Sequence, residues 1–246
     1  MLRPSQSKQF AMIGLPPKQR QKKTGSVAVT TVTKSIQAAN PRAQPVSRQI
    51  PRGFVTPLAA DSKYLDTAYA VYAVNTSGSI THLDPVPQGD SVVQRNGKSW
   101  QNTNLQIRGI IVQDTTAVAN HVAMYIVWDR QPNKAAFAIT DLLDVAHPSS
   151  FMKRENKGRF LVIKKWQRVL IGNSTSPTTG REAIIIDKWI RLPAECIAQA
   201  TAADTTGAIG NRITGALFVV FVGANAPGTA DANAQIAFRL GFRDPN

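Results

Sequence analysis

The first sixty residues hold no acid. Of the fifteen Asp and Glu residues, the first is Asp61 and the other fourteen follow Lys63. Ten of the twenty-nine bases lie in that acid-free stretch: Arg3, Lys8, Lys18, Arg20, Lys22, Lys23, Lys34, Arg42, Arg48 and Arg52. The formal net charge of +14 therefore divides into +10 for the arm and +4 for the rest, where nineteen bases face fifteen acids. A segment of one sign repels itself, and its natural partner is a polyanion. Cysteine is nearly absent. The single Cys196 excludes an intramolecular disulfide and suits a reducing compartment. It has no nearby histidine, and a buried inert thiol is expected. His82, His121 and His147 share no helical spacing, and no Cys/His set has zinc spacing, so no metal site is expected. No phosphate loop occurs, and Gly207 and Gly210 do not make a dinucleotide fingerprint. The longest apolar run, residues 215–222, is far too short to span a bilayer. A secretory pattern is lacking at the start, so the sequons at Asn75 and Asn173 are expected to stay bare. These absences leave no expected catalytic residue, cofactor or membrane partner.

What is present in residues 1–52 is charge, scattered proline and few large apolar groups. Such a composition does not offset ordering entropy, so the arm is expected to be disordered in isolation and to bind nucleic acid. Residues 27–36 form a weak strand-like patch that suits docking on a partner. Lys18, Arg20, Lys22 and Lys23 form the tightest cluster and read as a nuclear localisation signal, recognised by a nuclear import receptor, or as a nucleic-acid contact. The plainer reading is a solvated tail. If about ten phosphates of a single strand are neutralised, log K falls with log salt at a slope of roughly −7. The one aromatic in the arm, Phe10, means that base stacking is not its main device.

The remainder, residues 53–246, has the length of one large domain and reads as about eight strands. They fall at 66–75, 79–83, 104–112, 121–129, 159–171, 183–192, 215–222 and 235–243. Val122, Met124, Ile126 and Trp128 share one face, and Ile236, Phe238, Leu240 and Phe242 alternate with polar or small residues. Only 139–145 looks helical, with Thr140 as its cap. Loops carry the Pro, Gly, Asn and Thr at 84–99, 172–182, 200–214 and 224–233. This pattern implies an all-β fold: a single eight-stranded jelly-roll β-sandwich behind a disordered basic arm, with a barrel or another Greek-key sandwich as alternatives.

Seven bases and one acid crowd residues 153–168. Alternation puts Lys164, Trp166 and Arg168 on one face of their strand and Lys165 on the other. The three form a candidate basic-aromatic stripe for nucleic acid, with core packing of Trp166 as the alternative. Asp141, Asp144 and Glu155 are candidate acids for a cation between subunits, with solvated carboxylates as the commoner alternative.

Several segments, in order, resemble the coat proteins of geminiviruses and related small circular single-stranded DNA viruses. They are the strand-to-turn VAMYIVWDRQPN at 122–133, AFAITDLL at 136–143, Asn156-Lys157-Gly158-Arg159-Phe160 ahead of a basic strand, and the last two strands at 216–224 and 235–244. The block from Gln88-Gly89-Asp90 through Gln94-Arg95-Asn96-Gly97 to Arg108-Gly109 is also similar to the coat protein of satellite tobacco necrosis virus. The resemblance covers about 155 residues of the body, and the arm in general character only. It departs in having one cysteine and few histidines, so no metal site is carried over. It implies a non-enzymatic capsid protein in the virion and host nucleus. Many copies would form an icosahedral shell around a single-stranded genome, with DNA favoured over RNA. The alternatives are a satellite-like RNA virus coat protein, a β-sandwich nucleic-acid-binding protein of chaperone or movement type, and a lectin- or cupin-like jelly roll, whose cupin form needs a missing histidine set. Asp129 within the turn is expected to accept hydrogen bonds there or to pair with Arg130.

Overall fold

The computed structural model describes residues 62–114, 119–172, 182–201, 203–228 and 231–244. Ten strands and one short helix run in the order β1 (Lys63–Val74), β2 (Ser79–His82), β3 (Ser99–Val112), β4 (Ala119–Asp129), α1 (Ile139–Leu142), β5 (Phe160–Ile171), β6 (Ala183–Arg191), β7 (Ile197–Ala200), β8 (Arg212–Thr214), β9 (Ala216–Gly223) and β10 (Ala232–Arg243). Every strand pairing is antiparallel. One sheet runs β1-β10-β3, with β6 and then β7-β8 continuing from different lengths of β3; the other runs β2-β9-β4-β5. Two sheets of four main strands whose last two strands lie inside the first four are the double Greek key of a jelly roll. All eight expected strands are found.

The difference is one of number. β8 lies in the 200–214 stretch read as loop, and β7 falls almost wholly in residues assigned to neither strand nor loop, because strands of three or four residues give too little periodicity to detect. The helix is shorter than expected and ends at Leu142. Its N-cap is Ala138, not Thr140: the Asp141 carboxylate accepts the Ala138 N–H at 2.9 Å from inside the first turn. That is the return half of a capping box, without the side-chain acceptor that a Ser or Thr at the N-cap would supply.

The core follows from alternation. Ile236, Phe238, Leu240 and Phe242 of β10 point inward, between Leu105, Ile107 and Ile111 of β3 and Tyr72 and Val74 of β1. From the facing sheet come Val122, Met124, Ile126 and Trp128 of β4 and Leu217, Val219 and Phe221 of β9. Tyr72 stacks on Phe221 with ring centroids 5.2 Å apart. Gly109 is required where β3 meets β10, because a methyl there would strike the Gln235 carbonyl and the Ile236 backbone. Between β8 and β9 the chain turns at Gly215 with φ +69°, and a methyl there would meet the Trp128 ring.

The second sheet is buried on both faces. Ala123, Tyr125 and Val127, with Phe218, Val220 and Val222, form a second core under Phe137, Ile139, Leu142, Leu143 and Phe160. This explains the unbroken apolar run of β9, every residue of which is buried. The first sheet has no such cover among the described residues. Tyr64, Tyr69, Val71, Ile185 and Trp189 stand exposed on its outer face.

Candidate functional site

The ten arm residues from Arg3 to Arg52, the import cluster among them, and the patch 27–36 lie outside the described residues. The body's stripe lies within them. β5 pairs with β4 in a register that sets Arg168 opposite Val122, Trp166 opposite Met124 and Lys164 opposite Ile126. Those three β4 residues belong to the main core, so the stripe faces the other sheet. A bulge at Ile163 keeps Lys164 on that side after Ile163 has turned inward. β5 is an edge strand, so the stripe runs along the rim of the sandwich. Trp166 is half-buried against the core, while Lys164 and Arg168 are exposed. Lys165 points to the other face, where its ammonium donates to the Pro148 carbonyl at 3.2 Å and lies over the Tyr125 ring.

Beside the stripe the two sheets part. An apolar cleft of about 280 Å³ opens there, walled by Val122, Met124, Trp166, Ile184 and Ile186, with Arg168 and Lys188 also lining it. No acid lines it among the described residues.

Two of the segments that suggested a coat protein prove to be one device. Arg159 donates from Nε and Nη2 to the two carboxylate oxygens of Asp129, at 2.9 and 2.7 Å. Asp129 is fully buried and also accepts the Gln131 N–H at 2.9 Å. The turn hydrogen bond is as expected; the cation is Arg159 rather than Arg130, which pairs with Glu195 at 3.0 Å. The hydrogen bond to Asp129 raises the Arg159 pKa further above its ordinary value, against the opposing effect of burial. The guanidinium also lies 4.7 Å from the Phe160 ring centroid. The bridge ties the end of β4 to the start of β5.

A charged network buried near the β2 end of the sandwich is invisible in the sequence. Asp84, Arg95 and Arg212 are fully buried. Asp84 accepts hydrogen bonds from Asn102 and from the Leu217 N–H, each at 2.9 Å, and meets His82 Nε2 at 2.7 Å and Arg212 at 3.6 Å. Arg212 also donates to the Asp84 carbonyl. The guanidiniums of Arg95 and Arg212 sit 5.1 and 4.1 Å from the Trp100 ring centroid. Arg95 lies 3.8 Å from Asp204 and donates to the backbone carbonyls of Val86, Gly97 and Thr201. Burial works against the Asp84 charge, but Arg212, His82 and the Leu217 N–H outweigh it, and its pKa falls below the usual carboxylate value. These groups hold the 84–99 loop, so the block around Arg95 is structural. No local pattern marks them, since Asp84 and Arg212 are 128 residues apart.

The other candidates are placed as follows. Cys196 is fully buried, and burial pushes its thiol pKa up to about 12. His121 and His147 meet edge to face at 6.0 Å. Desolvation first, then His147 and Lys165, lower the His121 pKa. Asp141 is used as the helix cap described above, and no cluster of metal-ligating side chains occurs among the described residues. Asn75 is buried, donates to Asp231 at 3.0 Å and accepts the Ser77 N–H, so its side chain has no room for a glycan. No helix among the described residues is long and apolar enough to cross a membrane.

Among solved structures, the chain is similar to the infectious bursal disease virus Gt strain structure at 11% identity, with a TM-score of 0.22, over 72% of this chain and 33% of that one. The Gx strain structure matches at 10% identity and the same TM-score, over 72% and 38%. The chain thus spans little more than a third of either, and the jelly-roll assignment rests on strand pairing rather than on likenesses this distant. No curated protein matches it. The model of the geminivirus coat protein/nuclear export factor BR1 family matches residues 16–243, and with the pairing of Asp129 and Arg159 joining the segments that resemble those coat proteins, the chain belongs to that family as a viral coat protein with a structural role.

Proposed function

We propose that this coat protein assembles into a closed icosahedral shell and packages a small single-stranded DNA genome through its basic arm. The charge division carries the reading: ten bases and no acid precede a sandwich whose own charge is nearly balanced. Arms gathered inside a shell of about sixty copies would bring about six hundred positive charges to one genome. Lys164, Trp166 and Arg168 add a contact at the sandwich rim. Residues 1–52 serve as the arm and 53–246 as the shell domain. Lys18, Arg20, Lys22 and Lys23 lie within the matched residues and serve import into the host nucleus, where a DNA genome meets its polymerases.

The outer face of the first sheet, which has no cover among the described residues, supports assembly. Large apolar side chains exposed together mark a protein–protein surface, and here Tyr69, Val71, Ile185 and Trp189 are all more than half exposed. Phe151, 82% exposed on the loop after α1, is a second such point.

The test is salt dependence. Binding of a single-stranded DNA circle should fall with salt at a slope of roughly −7 in log–log form. Exchanging all ten arm bases for glutamine should flatten that slope to the small contribution of the body. An unchanged slope would move the genome contact off the arm. Equal packaging of single-stranded RNA, with PPKQRQKK failing to carry a reporter into nuclei, would favour the RNA-virus alternative. Binding without particles would favour a monomeric nucleic-acid chaperone or movement-type role.

A further inference from the structure

We infer that the rim cleft between β5 and β6 is a base slot: it receives one unstacked base of the packaged strand while Arg168, Lys188 and Lys164 hold the flanking phosphates. The inference rests on the packaging reading and names a site for it in the folded body. Three features carry it. The cleft is partly walled by the half-buried Trp166, which offers a stacking surface, and by the side chains of Met124 and Ile184. Its charge is one-signed: Arg168 and Lys188 line it, Lys164 shares its side of β5, and the side chains of the three make no hydrogen bond or ion pair with the described residues. The nearby cations Arg108 and Arg239, by contrast, are held by Asp187 and Asp66 on the outer face. Its size of about 280 Å³, roughly nine waters' worth of liquid, suits a single flat ring.

The aliphatic lining decides what is read. The side chains of Val122, Met124, Ile184 and Ile186 offer a buried ring edge no hydrogen-bonding partner, and Gln167, which also lines the cleft, alternates with Trp166 and Arg168 to the other face of β5, so the polar edge of the base faces the mouth and water. Every base has a π-face, and such a slot accepts all four. That suits a coat protein that must bind along a whole genome without regard to sequence. Apolar wall and cationic mouth also fit an amphipathic carboxylate, but single-stranded nucleic acid is the polyanion that the arm implies.

The experiment uses full-length protein and oligothymidylate. A 5-iododeoxyuridine analogue is photocrosslinked and the attached peptides are mapped, and affinities are compared for intact and abasic oligomers at high salt, where the arm contributes least. Crosslinks are expected at Trp166 or Met124, with the abasic oligomer bound about tenfold or more weakly, the scale of one stacked base. Ile184→Trp, which fills the slot from its half-buried rim, should abolish both effects and keep the steep salt slope of the arm. Crosslinking of the native protein stands even if that variant fails to fold. Crosslinks confined to residues 1–61, or equal affinity for intact and abasic strands, would overturn the slot and leave arm-driven packaging in place. Absence of any DNA binding at low salt would defeat the packaging reading itself. Protection of the slot by decanoate, with no crosslink from the oligomer, would assign it to an apolar carboxylate and overturn the inference.

Discussion

Two arginine–aspartate bridges have nearly the same geometry and should differ widely in their effect on stability. Arg159 meets Asp129 at 2.9 and 2.7 Å, and Arg239 meets Asp66 at 2.6 and 2.7 Å. Environment separates them: Asp129 is fully buried and Arg159 is 21% exposed, while Asp66 and Arg239 are about half exposed. Arg159→Met removes two donors and strands a buried carboxylate that keeps only the Gln131 N–H. Breaking a buried pair from one side typically costs about 3–5 kcal/mol. In a domain of this size that lowers Tm by about 6–20 °C. Arg239→Met leaves the half-exposed Asp66 carboxylate to water and should leave Tm essentially unchanged. Adding Asp129→Asn to Arg159→Met should recover part of the loss, since the stranded charge is then gone; a coupling of about 1–3 kcal/mol is expected. Thermal and urea unfolding of these three variants, of Asp129→Asn alone and of the unaltered protein measures this. Equal, small losses from Arg159→Met and Arg239→Met would refute the reasoning, because burial would then not govern the bridge.

Further outcomes follow from the same structure. Phe238→Ala should cost about 3–5 kcal/mol in urea unfolding, since Phe238 is buried in the main core; tolerance would mean that the inward face of β10 is wrong. Asp84 has a pKa below its unfolded value, so its contribution to stability is complete above about pH 4 and lost as pH falls through the depressed folded pKa. Asp84→Asn should therefore destabilise the protein at neutral pH and shallow its acid unfolding limb, as chemical denaturation at pH 7 and pH 3 would show. Cys196, with its pKa pushed up to about 12, should resist Ellman's reagent in the folded protein and react on unfolding; fast labelling at neutral pH would contradict its burial.

The sandwich was legible where one face alternates. β10 reads as inward Ile236, Phe238, Leu240 and Phe242, and the register confirms each. β4 was half legible: the alternation of Val122, Met124, Ile126 and Trp128 names one core, while Ala123, Tyr125 and Val127 fill another. Parity placed Lys164, Trp166 and Arg168 on one side, and the cleft beside them became visible only once β6 lay across from β5. The charges around Trp100 were not legible at all. Asp84 and Arg95 sit in a loop that looks solvated, and their partners come from distant parts of the chain. Short strands such as β8 fail for want of period, and Thr140 was a better cap by residue type than by position.

Electron microscopy of the purified full-length protein mixed with a single-stranded DNA circle tests the central claim most directly. Uniform closed particles with nuclease-protected DNA inside are predicted. A soluble sandwich that binds the circle but never closes around it would contradict the account.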